Sequence, residues 1–296
     1  MKYPKWNMGQ TEALLNIIGG EQAAKDVLRG RKKVYREKEG YQPLFDLHGW
    51  RLPPPNMKEQ HHGCPVPNVC LASPIDFADN PNLETRFVRT CKRFGVEPPF
   101  KPSDFRGRAS EAKSRIARDE ATGDVLRGPC LPIFLPPMEA SSFYWEIVEK
   151  LSLFALVGQV FEEQFPGQRF HKMEGSGLQV REGSRHDKLV AAMNAGPVVA
   201  LYFPMALQGY LPRAAVEQME SLPEYFLLSG AIDVMAAMIM YPDVLARDAN
   251  VPDLECAGVG SYSTAYQFQR AEDCLYFSFS HYVVYGHASA GLTVIA

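Results

Sequence analysis

Apolar residues recur at helical spacing in two short stretches near the start of the chain. Leu14, Leu15, Ile17 and Ile18 follow Thr11, whose hydroxyl suits an N-cap, and Gly19 suits the left-handed residue that closes a helix. Ala24, Val27 and Leu28 form a second stripe between Glu21 and Gly30. The pattern predicts a short helical hairpin hinged at Gly19-Gly20, whose two helices need the rest of the protein for support. A DNA-reading helix-turn-helix wants a small residue inside its first helix and an apolar one midway along its second. Leu15 and Lys25 stand at those places, so the hairpin is the better fit.

Residues 41–137 lose this regularity. Pro53-Pro54-Pro55, Pro98-Pro99 and Pro136-Pro137 punctuate them, with helices expected only at 83–94 and 111–117. Trp50, Phe77, Phe87, Phe94, Phe100 and Phe105 carry much surface to bury, so the segment is expected to wrap the body as an irregular layer. Periodicity returns from 138 onward. It predicts helices at 143–165, 185–195, 213–221 and 231–246, and buried strands at 198–203, stopped by Pro204, and 226–228. Three strands, 274–280, 282–285 and 292–295, close the chain. The fold class this gives is α/β or α+β. A mixed sheet has parallel βα units and antiparallel C-terminal strands, preceded by the helical hairpin. Three zones follow: a basic lead at 1–40, the proline-rich segment at 41–137, and an α/β body at 138–296.

Charge separates the first zone from the rest. Residues 1–40 hold nine Lys/Arg against five Asp/Glu, about +4, whereas the whole chain is −3 and the remainder therefore about −7. Arg29, Arg31, Lys32, Lys33 and Arg36 concentrate the excess, a candidate surface for an acidic partner or nucleic acid. The competing reading is a solvated face that keeps the protein soluble.

At 46% hydrophobic and 22% charged residues the chain is globular in composition. The N-terminus lacks the apolar core of a secretory signal, and the longest apolar stretch, 225–241, is interrupted by Ser229, Gly230 and Asp233. These features predict a cytoplasmic protein with no membrane contact. Six scattered cysteines fit reduced thiols better than a disulfide framework. His61, His62, Cys64 and Cys70 supply four zinc-type ligands, but the gap between the cysteines and the prolines within it fit a stiffened loop better.

Catalytic chemistry has two weak candidates. Ser229 and Gly230 fall where a strand ends and a helix begins, a place where ligands bind in open α/β sheets; Asp233 lies in that helix's first turn. Dipole stabilisation is the simpler role for Asp233. The second candidate is the polar loop carrying His171, Arg185, His186 and Asp187 among glycines and serines. No phosphate loop, dinucleotide fingerprint or nucleophile elbow is present, and no cofactor is implied. An enzyme would require the two segments to meet within about 10 Å, because acid–base partners work near hydrogen-bond reach. The alternative is an interaction or regulatory protein using the basic lead.

The segments TEALLNIIGG, VLRG, LYFPMALQGY, EQMESLPEYFLLSGAID and MYPDVLARD resemble a group of uncharacterised bacterial proteins, best represented in candidate-phylum genomes. The resemblance covers both ends of the chain and is weakest at 41–137. It implies a bacterial or phage-like intracellular origin, and the group has no assigned activity to carry over.

Overall fold

A computed structural model of the chain describes Lys25 and residues 43–54, 56–59, 82–139, 143–173, 178–260, 264–281 and 287–296. Residues 1–42 and 43–296 form separate units, and in the first only Lys25, helical and exposed, is described. The predicted hairpin and the strand at 282–285 thus lie outside the described residues.

In chain order the second unit contains α1 (Leu83–Arg93), α2 (Pro102–Arg118), β1 (Leu131–Leu135), α3 (Tyr144–Lys150), α4 (Leu153–Gln164) and β2 (Arg169–Lys172). There follow α5 (Asp187–Ala195), β3 (Val198–Gln208), α6 (Pro212–Ser221), β4 (Phe226–Leu228), α7 (Ala231–Met240) and α8 (Pro242–Leu245). The chain ends with β5 (Asp253–Glu255), β6 (Thr264–Arg270), β7 (Cys274–His281) and β8 (Ala288–Ile295). The strands form one mixed sheet in the order β1-β3-β8-β5-β6-β7-β2, with β4 also pairing β8. β2 with β7 and β5 with β8 are parallel pairs, and the other pairs are antiparallel. The α/β class and mixed sheet expected from the pattern are therefore present. β3 and β4 both run antiparallel to β8, so they share a direction with β8 between them.

Several boundaries moved for identifiable reasons. β3 does not stop at Pro204: a register shift between Phe203 and Leu207 absorbs the proline's missing N–H, and pairing with β8 resumes. The expected helix at 143–165 breaks at Ser152, whose left-handed φ of 50° ends α3 and starts α4. The expected helix at 231–246 breaks at Tyr241, because Pro242 cannot continue the hydrogen-bond ladder and opens α8 instead. Residues 82–135 supply more structure than the proline pattern suggested. α2 begins at Pro102, a favourable N1 residue, and β1 is the edge strand beside β3. Phe87 stacks on Phe105 at 4.7 Å and meets Phe134 of β1 edge-on at 5.2 Å, so this segment packs into the core.

All ten residues of α7 are buried, including Asp233. A helix apolar on every side belongs in an interior, and its one carboxylate must then find partners there. Tyr241, just beyond its end, donates its hydroxyl to the Pro132 carbonyl at 2.6 Å, tying α7 to β1.

Candidate functional site

β4 and β5 lie end to end along one edge of β8, pointing toward each other. Their C-terminal ends meet beside Gly291. The Ser229 N–H donates to the Gly291 carbonyl at 3.0 Å, and the Gly258 N–H donates to the Ser229 carbonyl at 2.7 Å. Neither glycine at this junction leaves room for a side chain. A Cβ on Gly258 would stand 2.3 Å from the Leu228 carbonyl oxygen, and one on Gly291 would stand 2.4 Å from the Tyr202 ring. α7 starts here with Gly230 as its N-cap.

A chain of buried polar groups closes over the junction. The Gly230 N–H donates to Asp233 Oδ1 at 2.8 Å, and the Thr293 hydroxyl donates to Asp233 Oδ2 at 2.5 Å. Because the Thr293 proton is committed to the carboxylate, Ser229 donates to Thr293 Oγ1 across their 2.8 Å contact. Ser229, Asp233 and Thr293 are all fully buried. The carboxylate thus receives two donors at the positive end of α7, which offsets its desolvation.

His186 joins from the other segment. Its Nε2 lies 2.9 Å from the Tyr144 hydroxyl, which accepts the Ile232 N–H at 2.9 Å. One of these two groups donates to the other, the direction being set by the imidazole tautomer. Burial lowers the His186 pKa, with Asp233 and the Leu228 carbonyl pulling the other way, so the ring is neutral. Burial, helped by Asp233, raises the Tyr144 pKa well above its usual value. A Cβ on Gly230 would lie 2.6 Å from Nε2, so the ring and the N-cap are in direct contact.

The sequence-nominated residues separate at this point. His186, Asp233, Ser229 and Gly230 come together, but in a sealed interior. His171 stands on β2, exposed, and stacks on Tyr276 at 5.4 Å. Arg185 turns back to cap carbonyls, donating to Leu222 and Pro223 at 3.1 and 2.8 Å and also to Met219. Asp187 is exposed in the first turn of α5. Arg29, Arg31, Lys32, Lys33 and Arg36 lie outside the described residues, as do His61, His62, Cys64 and Cys70. Among the described residues no group of acids, histidines and cysteines could hold a metal ion, and Cys91, Cys256 and Cys274 are free thiols. No helix among the described residues is long and apolar enough to cross a membrane.

Sequence reasoning missed a second polar group. Asp253 and Glu255 alternate along β5 and so share one face of the sheet. Gln267 of β6 stands opposite Glu255, and Gln269 donates to Asp253 Oδ2 at 3.1 Å. His287 Nε2 lies 3.2 Å from the same oxygen. Burial raises the Asp253 carboxyl to about 7. Burial, with the Asp253 charge adding to it, raises Glu255 to about 8, while Arg181 opposes the shift. Glu255 Oε2 is buried without a hydrogen bond. The signal available was the Asp-Leu-Glu alternation of a half-polar strand, but three residues are too few for periodicity to register.

No protein-family model, curated protein or solved structure matches the chain.

Proposed function

We propose that the protein is a cytoplasmic interaction or regulatory protein, in which the α/β body is a scaffold and the basic lead is the docking surface. One observation carries this reading. Of the groups that the sequence nominates for chemistry, the three that come together, His186, Asp233 and Ser229, are fully buried and engaged with Tyr144, Gly230 and Thr293. Groups so engaged hold strand ends and a helix start together. The charge asymmetry of residues 1–40 then supplies the surface for an acidic partner. The test compares the full chain with a variant in which Arg29, Arg31, Lys32, Lys33 and Arg36 are all changed to Gln. A labelled oligonucleotide and an acidic peptide serve as probes in separate arms. Binding of either that disappears in the variant supports the reading and identifies the partner class; binding of neither overturns it.

An enzyme is the second reading, and the Asp253–Glu255 pair favours it. Two carboxyls with pKa values displaced toward neutrality beside an imidazole are a combination suited to acid–base work. Carbon-13 NMR of the labelled carboxyl groups checks its precondition. A pair that titrates near pH 4 would remove this reading.

A further inference from the structure

α1 carries Arg86, Arg89 and Arg93 at spacings of three and four, which places them on one helix face. That face lines a cleft of about 290 Å³ with Thr85, Gln164 and Asp243. The volume sits at the lower end of the range for small-molecule sites, ~300–1,000 Å³.

The three guanidinium groups differ in what they already hold. Arg86 grips Asp243 with two bonds of 2.7 Å and donates to the Met240 carbonyl at 3.0 Å. Arg93 donates to the Ile239 carbonyl at 2.9 Å and to Glu163 at 3.0 Å. Both thereby cap the C-terminal carbonyls of α7 and are neutralised by a carboxylate. Arg89 stands between them, exposed, and forms no hydrogen bond or ion pair with a described residue. Its charge still reaches Arg93, Glu163 and Asp243, lowering the pKa of each alongside stronger causes. The cleft thus has fixed walls, since Arg86 and Arg93 are immobilised, and one uncommitted positive charge in the middle.

We infer that this cleft binds a small molecule through a phosphate or carboxylate group, with Arg89 as the principal contact. A guanidinium presents paired N–H donors that match two oxygens of either group. The Thr85 hydroxyl and the Gln164 amide add neutral donors at the rim. Ordering Arg89 is the main conformational cost, because its neighbours are already held. The inference does not rest on the basic lead.

Calorimetric titration of the full chain with inorganic phosphate and with acetate, each against chloride at matched ionic strength, tests the inference. Saturable binding of at least one anion is expected. Arg89→Ala should weaken it about tenfold or more, and Arg89→Lys by less, because the charge survives without the fork. The preferred anion tells phosphate from carboxylate. The lead-neutralised variant should bind as the unaltered chain does, which separates this site from the proposed docking surface. Arg89 is exposed, so Arg89→Ala should melt within a few degrees of the unaltered chain, about the range of surface substitutions. No saturable binding at matched ionic strength, or equal binding by folded Arg89→Ala, would overturn the inference.

Discussion

The Thr293 hydroxyl donates to Asp233 Oδ2 at 2.5 Å, joining the last strand of the sheet to the first turn of its most buried helix. Removing the hydroxyl while keeping the shape isolates this bond. Thr293→Val leaves a buried carboxylate short of a donor and should cost about 2–3 kcal/mol. Thr293→Ser keeps the donor and removes a methyl group, for about 1 kcal/mol. Urea melts of the two variants should rank them in that order.

Gly230 and His186 are in contact through the position a Cβ would occupy, 2.6 Å from Nε2. Gly230→Ala should destabilise by about 1–3 kcal/mol through overpacking. Adding His186→Ala frees the space, so the double variant should lose less than the sum of the two single losses. Strict additivity in a double-mutant cycle would mean that the two residues do not touch.

Arg185 holds carbonyls of Met219, Leu222, Pro223 and Phe226 around the segment entering β4. Arg185→Ala should therefore cost at least about 2 kcal/mol, since charge-assisted bonds to partly buried carbonyls are lost. Arg185→Lys should rescue little, because one ammonium cannot span four acceptors. Asp187→Asn, next but one along the chain and exposed, should stay within about 0.5 kcal/mol. Equal melting temperatures for Arg185→Ala and Asp187→Asn would contradict the capping role.

The β5 carboxyls make stability depend on pH with a definite sign. Their folded values, about 7 for Asp253 and about 8 for Glu255, exceed the ordinary 3.8 and 4.5. The folded state therefore keeps protons that the unfolded chain releases. The associated stability is full below about pH 4, is lost as pH rises through about 8, and is flat beyond. His186, held neutral, opposes this only on the acid side of its ordinary 6.5. Melting temperature measured from pH 6.5 to 9 should fall for the unaltered chain and fall less for Glu255→Gln. A rise over that interval would reverse the assignment.

The first half of β3, β4 and the helix α7 were legible because 198–203 and 226–228 are continuous apolar runs and α7 is apolar nearly throughout. β1 was hidden by its prolines: Leu131–Leu135 follows Pro129 and contains Pro132, which is tolerated because the strand is an edge. β2 reads as a polar loop, since its four residues are mostly exposed at the opposite edge. In the candidate site, the strand-to-helix turn at Ser229-Gly230 and the cap role of Asp233 follow from local rules. The link from His186 to that turn depends on Tyr144, forty-two residues before it, and no local pattern marks such a contact. The arginine face of α1 went unread in the sequence, because its spacing acquires meaning only beside the carbonyls of α7.

The proposal that the lead is a docking surface is tested most directly by the salt dependence of its binding. Fluorescence anisotropy of a labelled single-stranded oligonucleotide, or of an acidic peptide if that is the probe captured, measures affinity across a salt series. With five basic side chains engaged, the logarithm of the oligonucleotide's affinity should fall against the logarithm of salt with a slope of roughly −3.5. The variant with all five changed to Gln should lose the binding. An affinity independent of salt, or one unchanged in that variant, would contradict the account.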